Sequence, residues 1–316
     1  MQIAIIGATG LVGTQVLAIL ETLSWPAESV RCVASSKSAG QSIRFSGVDK
    51  TIQDLAEFDF SSVDVAIFSA GGSLSKQYVP KALAKGCYVV DNTSVYRLDK
   101  ASVLCIPRVL PVPHCADDQR LFSVPNCSTV QLVAIVYPLQ KAFGIESISV
   151  STYQSYSGAG RKALASYQAG DLSLVAHIGQ ETANGYCEEE NKMIHETKRL
   201  LNHDIPIWPT TIRTPTPVVH GESVSVRLAQ MTDMTEISRV LSESRVNRRV
   251  DDASLIIDEA KGRDEVLWGR LRWDPVHRQL MLFSLSDNLR LGAATTAVDI
   301  AMSVVQPLLR RNVGVC

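Results

Sequence analysis

The order of apolar segments predicts an α/β fold in two parts. A glycine-rich turn separates the first strand-like run from the first helical one. A strand–helix–strand rhythm then fills the first half, which argues for a parallel sheet with helices on both faces. Beyond it, strand-like runs follow one another with few helices between them, the pattern of an α+β domain on a mixed sheet. With 316 residues the chain is long for one domain and comfortable for two.

The elements are expected in this order. Gln2–Ile6 is a strand, and Leu11–Leu23 a helix, with Val12, Val16, Ile19, Leu20 and Leu23 at helical spacing. Val30–Ala34 and Val63–Ala70 are strands. Lys76–Lys85 is helical and stops at Gly86. Cys87–Val90 and Val103–Ile106 are strands. Ser128–Phe143 is an apolar helix and Ser147–Tyr156 an alternating strand. Glu188–Leu201 is a charged helix. Pro206–Thr214, Ser223–Gln230, Glu265–Trp273 and Gln279–Leu285 are strands, the last two joined as a hairpin at Asp274-Pro275. A helix over Leu289–Leu309 closes the chain. The division falls at residues 1–127 and 128–288, with a C-terminal helix at about 289–316 returning to the first part.

Gly7-Ala8-Thr9-Gly10-Leu11-Val12-Gly13 follows a strand and opens a helix. Glycines allow a tight turn and a close backbone approach to a pyrophosphate, and the helix N-terminus offers oriented amides. The spacing G-x-x-G-x-x-G is a variant of the dinucleotide fingerprint, so the first half reads as a Rossmann-type parallel sheet domain. A tight turn without ligand has the same local form. NAD enzymes usually place an acid after the second strand. Here that segment is Ser35-Ser36-Lys37, with two hydroxyls and a cation, which suits the 2′-phosphate of NADP and is equally a solvated polar turn.

Composition narrows the function. Thirty-one basic and 32 acidic residues give a net charge of −1, so no global field exists to hold a nucleic acid or an anionic membrane. No apolar run reaches the roughly 18 residues of a membrane span, and the N-terminus lacks the basic region of a signal peptide. The seven cysteines include no C-x-x-C pair. A cytoplasmic chain with reduced thiols and no dedicated metal site is expected.

Val124-Pro125-Asn126-Cys127-Ser128-Thr129 places a cysteine where an irregular segment meets an apolar helix. The partial positive charge of a helix N-terminus stabilises a thiolate, although a cysteine in such a place is also often an inert core residue.

Taken together, these motifs resemble the aspartate-β-semialdehyde dehydrogenase family. The match includes Gly7–Gly13, the segment from Ala34 to Gly40, Asp91-Asn92-Thr93-Ser94 with Arg97, and Pro125–Thr129. It continues through Gln154 with Ser157-Gly158-Ala159-Gly160, Glu188-Glu189-Glu190-Asn191-Lys192, and Arg213 with His220-Gly221-Glu222-Ser223-Val224. It ends at Asp287-Asn288-Leu289-Arg290 with Gly292-Ala293-Ala294. The spacings of 27 from Cys127 to Gln154 and of seven from Arg213 to His220 agree with the family.

The resemblance implies an NADP-dependent, phosphorylating oxidation of L-aspartate β-semialdehyde to L-β-aspartyl phosphate, running reductively in lysine, threonine and methionine biosynthesis. It makes Cys127 the nucleophile that carries a thioester, His220 the acid/base and Gln154 the residue orienting the acyl group. It assigns Arg213 to the substrate carboxylate, Glu189 to the amino group, and Arg97, Asn126 and Lys192 to phosphate. It assigns Gly7, Thr9, Gly10, Leu11, Val12, Gly13, Ser35, Ser36, Lys37, Ser157, Gly158 and Asn288 to the cofactor. The second domain is expected to carry both catalysis and dimerisation, in a homodimer or homotetramer.

Three positions depart from the family: Arg108 and Leu110 replace an acid and an amide, and Leu291 replaces a lysine. Competing readings are an N-acetyl-γ-glutamyl-phosphate reductase, which needs no acid facing a free amine, and a non-catalytic NADP-binding paralogue. Tyr137-Pro138-Leu139-Gln140-Lys141 also matches the Y-x-x-x-K of short-chain reductases, but Pro138 is expected to interrupt the helix there.

Overall fold

The computed structural model describes residues 1–112, 115, 116 and 118–312, with side chains described to residue 309. Cys316 and the last four positions of the expected terminal helix lie outside the described residues. The chain divides into two units, Met1–Pro125 with Ala293–Cys316, and Asn126–Gly292.

The first unit is a seven-stranded sheet. Its strands are β1 (Ile3–Ile6), β2 (Val30–Ala34), β5 (Gln53–Asp54), β6 (Val65–Phe68), β7 (Tyr88–Asp91), β8 (Val103–Leu104) and β9 (Leu121–Ser123). The order is β5-β2-β1-β6-β7-β9-β8 and every neighbouring pair is parallel. The central strands are buried along their whole length, as expected of a parallel sheet covered on both faces. Helices α1 (Leu11–Thr22) and α2 (Gly72–Ala84) supply crossovers, α2 beginning four residues before the expected Lys76.

The hairpin β3 (Ser42–Phe45) and β4 (Val48–Thr51) was not expected. Its turn residues Ser46 and Gly47 both have positive φ, so a Ser-Gly pair was the available signal.

The C-terminal run from Arg290 to Asn312 mixes α and π turns. Contrary to the hydropathy reading, Arg290–Leu309 is long and apolar enough to cross a membrane. It is 72% buried, and Ala294, Ala297, Val298, Ala301, Val304 and Val305 join Ile3, Ile5 and Leu20 in one core cluster. That is the position of a core helix. Arg108, the first departure from the family pattern, forms a bidentate pair with Asp299 on this run, at 2.6 and 3.1 Å.

The second unit carries the expected mixed sheet. Its strands are β10 (Ile145–Gln154), β11 (Ile207–Arg213), β12 (His220–Leu228), β13 (Asn247–Arg249), β14 (Val266–Asp274) and β15 (Gln279–Ser286), in the order β11-β10-β12-β15-β14-β13. Helices α3 (Cys127–Phe143) and α5 (Glu188–Leu201) carry the residues of interest; α4 (Arg161–Gln168) and α6 (Met234–Ser242) were not expected.

Helix α3 runs unbroken through Pro138. The proline leaves the carbonyl of Ala134 without its helical donor, and Asn247 Nδ2 donates to that oxygen at 2.7 Å. The interruption is local and compensated. Tyr137 and Lys141 consequently lie near the far end of α3 from Cys127, about 15–20 Å along the axis. Leu291 is fully buried, where the family lysine would need a partner.

Candidate active site

The glycine turn is built by backbone contact. Gly7 sits at φ +93°, and a Cβ on it would lie 2.9 Å from the carbonyl of Ser69. A Cβ on Gly13 would lie 2.2 Å from Gly7 O, so only glycine allows the first turn of α1 to close on the end of β1. Gly10, the N-cap residue, provides no side-chain cap, and Thr9, Leu11 and Val12 complete the turn around the helix start. Backbone amides and the helix dipole therefore face this position, the requirement for a phosphate cradle. Ser35, Ser36 and Lys37 form an exposed turn directly after β2.

Arg97 lies in the same unit, 7% exposed. Its Nε donates to Val124 O at 2.9 Å and its Nη2 to Asn92 O at 3.2 Å. These bonds orient the guanidinium beside the segment that leads to the nucleophile.

In the second unit, five element ends converge. Cys127 opens α3. Gln154 and Arg213 end β10 and β11 and are register partners. His220 opens β12 opposite Ser286, the last residue of β15. The sequence predicts a strand from Ser223; the strand begins three residues earlier, at His220 itself. Cys127 Sγ lies 3.2 Å from His220 Nε2. Among the described cysteines, Cys127 is the one that is not buried.

His220 is fully buried, and its Nδ1 accepts the backbone N–H of Ser155 at 3.1 Å. A ring nitrogen that accepts an N–H carries no proton, so the neutral ring has its proton on Nε2, facing the sulfur. Burial and then the nearby Arg213 push the imidazole pKa down to about 3. Both influences favour the neutral ring, with its N–H toward Cys127.

Arg213 is the cation of the site. Among the described residues its one guanidinium hydrogen bond runs from Nη1 to Ser155 O, and it has no acidic partner. Burial lowers its pKa, opposed by Cys127 and Glu189, and a guanidinium stays charged regardless. Gly158 lies between Arg213 and His220: a Cβ there would sit 3.0 Å from His220 Cε1 and 3.4 Å from Arg213 Nη1. The glycine keeps that space open.

Helix α5 supports the nucleophile from the other side. Glu189, 7% exposed, accepts Asn126 Nδ2 at 2.7 Å and Gln154 Nε2 at 3.2 Å on Oε1, and Lys192 Nζ at 3.1 Å on Oε2. Burial alone would raise its pKa, but Lys192 and these hydrogen bonds hold it below the usual carboxylate value. Gln154 Nε2 also reaches Ser128 Oγ at 2.7 Å.

The sequence reading missed three contributors and gave no role to a fourth, Gly292. Glu196 accepts the backbone N–H of Asn126 at 2.6 Å, so α5 grips the residue before the nucleophile through two carboxylates. Their i, i+7 spacing on one helix face was the available signal. Gly292 packs on Cys127, with only 2.8 Å between a Cβ built there and Cys127 Cβ. Ser155 and Val219 adjoin His220, and nothing in their residue types announced it. Ser157 and Asn288 lie beneath the imidazole, bonded to each other at 3.0 Å.

The chain is similar to known proteins over nearly its whole length. Residues 2–114 match the semialdehyde dehydrogenase NAD-binding domain and residues 136–291 the semialdehyde dehydrogenase dimerisation domain. An aspartate-semialdehyde dehydrogenase of Legionella pneumophila is 39% identical over 95% of this chain and 94% of its own length. Aspartate-semialdehyde dehydrogenase 2 of Vibrio cholerae is 37% identical over 96% and 98%. The crystal structure of aspartate semialdehyde dehydrogenase II from Vibrio cholerae complexed with ASA superposes with a TM-score of 0.89 at 34% identity, covering 99% of each chain.

Proposed function

Since the chain belongs to the aspartate-semialdehyde dehydrogenase family, we propose that it oxidises L-aspartate β-semialdehyde with NADP and phosphate to L-β-aspartyl phosphate, reversibly, through a thioester on Cys127. The carrying observation is the Cys127 Sγ to His220 Nε2 contact of 3.2 Å beside an arginine with no acidic partner among the described residues.

The Cys127 thiolate, at the N-terminus of α3 and hydrogen-bonded by His220 Nε2–H, adds to the aldehyde carbon. The carbonyl oxygen becomes an alkoxide, and Nε2–H, freed from the consumed thiolate, donates to it. A bound nicotinamide supplies the hydride acceptor. Loss of hydride from that carbon leaves the thioester. A phosphate oxygen then attacks the acyl carbon, the thiolate departs back to Nε2–H, and the proton of the hydrogen phosphate passes to water. Charge balances at each step with His220 neutral throughout, which its buried, Arg213-facing position favours. His220 thus acts by donating a hydrogen bond, in place of the proton shuttle that the family resemblance implies.

Arg213 takes the substrate carboxylate as a planar fork. Glu189 takes the substrate ammonium at Oε2, where it replaces Lys192. Lys192, Arg97 and Asn126 then serve phosphate. The Gly7–Gly13 turn holds the cofactor pyrophosphate, and Ser35, Ser36 and Lys37 its 2′-phosphate, in preference to NAD. The ASA-bound Vibrio cholerae structure supports the substrate, and the dimerisation domain supports a homodimer as the minimal assembly. The charged Glu189 favours this substrate over an N-acetylated one, which brings no ammonium.

The decisive assay follows NADPH formation from the aldehyde, NADP and phosphate. Turnover should require phosphate, and Cys127→Ser should lower it by roughly a thousandfold or more while NADP still binds. Phosphate-independent turnover, or full activity of the variant, would refute the thioester route.

A further inference from the structure

Val219, immediately before His220, has φ +75°. For a β-branched residue this is a strained backbone state, held only when the surroundings over-determine it. Val219 is also 2% exposed, so its N–H cannot turn to water. That N–H donates to Asn288 Oδ1 at 3.0 Å. A backbone N–H only donates, which fixes the Asn288 amide with its oxygen toward Val219.

The same oxygen accepts Ser155 Oγ at 3.1 Å and lies 3.2 Å from Ser157 Oγ, while Asn288 Nδ2 reaches Ser157 Oγ at 3.0 Å. Ser155 in turn meets His220 Nδ1 twice, by its N–H and by its Oγ, each at 3.1 Å. With the Oγ hydrogen committed to Asn288, the N–H is the donor to Nδ1. Asn288 therefore touches both segments that set the imidazole: the strained residue before it and the serine behind it.

We propose that Asn288 is a positioning residue for His220, holding Val219 in its strained turn and Ser155 against Nδ1 so that Nε2–H stays aimed at Cys127. This rests on the reading of His220 as hydrogen-bond donor to Cys127, and it differs from the cofactor contact that the family resemblance assigns to Asn288. A residue that is 3% exposed, with both ends of its amide engaged within the protein, suits the positioning role.

The test separates the two roles. Alkylation of Cys127 by iodoacetamide is followed against pH, with Cys127→Ser as background, and NADPH binding is measured by fluorescence titration. Asn288→Ala should slow alkylation at pH 7 by roughly tenfold and move its midpoint to higher pH, with NADPH affinity held within about threefold. Val219→Gly relieves the strain, because glycine adopts positive φ freely. The double variant should recover most of the alkylation rate. Asn288→Asp retains the acceptor oxygens and should stay within about threefold of wild type, which keeps the question answerable if the alanine variant does not fold.

An unchanged alkylation profile with weakened NADPH binding would make Asn288 a cofactor contact and overturn the proposal. So would a double variant no better than Asn288→Ala. Alkylation needs no aldehyde, so a wild-type protein without turnover would sink the proposed reaction and leave this test standing.

Discussion

Two turns in this chain enter the left-handed region beside a functional position, and they do so by opposite means. Gly7, at φ +93°, does so without a Cβ, and the turn closes by backbone contact alone. Val219, at φ +75°, does so with a branched side chain, held by Asn288 from 69 positions away. The first turn is self-sufficient in needing no side chain: backbone groups of Val33, Ser69 and its own residues close it. The second depends on its surroundings, so its geometry, and that of His220, can be tuned by residues distant in the sequence.

Breaking the self-sufficient turn should have the larger effect. Gly13→Ala places a methyl 2.2 Å from Gly7 O, a contact neither backbone can absorb without reopening the turn. Cofactor affinity should fall by roughly a hundredfold or more, while iodoacetamide alkylation of Cys127 should not change. Unaltered cofactor binding would show that the turn is not the phosphate cradle.

The assembled site should respond more gently and more selectively. Arg213→Lys keeps the charge and loses the planar fork. The KM for the aldehyde should rise by roughly ten- to a hundredfold with cofactor affinity unaffected. An unchanged KM would remove Arg213 from the substrate carboxylate and leave unexplained its lack of an acidic partner among the described residues.

The same contrast explains what could be read in the sequence. Five strands of the parallel sheet were legible because they are short, mostly apolar runs in a helix-and-strand rhythm, whereas the two- and three-residue strands β5 and β9 were too short to register. The Gly7–Gly13 turn was legible because its geometry is local. The mixed sheet was legible as a class, since its strands alternate, but α4 and α6 were missed because they are short and charged. Cys127, Gln154, Arg213 and His220 were named through motifs. Their convergence depends on the register that sets Gln154 opposite Arg213 and His220 opposite Ser286, which no local pattern encodes. Ser155, Val219 and Glu196 went unnamed because each acts through a backbone group, and backbone chemistry is the same for nearly every residue type. Burial was illegible for a related reason: the ordinary imidazole pKa assumes solvent, and His220 has none.

Glu222 sharpens the comparison at the smallest scale. Two positions beyond His220 on β12, it is fully buried, and neither carboxylate oxygen has a hydrogen-bond partner among the described residues. Burial raises its pKa well above the ordinary value, which favours the protonated form in the folded protein. The unfolded chain titrates it near an ordinary glutamate. Between the unfolded and the folded pKa the native state binds the extra proton, so stability falls as pH rises through that window. Glu222→Gln removes the proton linkage with little change in shape. The variant should gain on wild type with rising pH above about 4.3, by at most about 1.4 kcal/mol per pH unit. Urea unfolding at pH 5 and pH 8 measures the gap. A gap that stays constant would mean that Glu222 is charged in the folded protein, and the strand carrying His220 would then hold an anion two positions from the imidazole. Cofactor affinity should be the same at both pH values in variant and wild type, since the Gly7–Gly13 turn is closed by backbone groups that do not titrate.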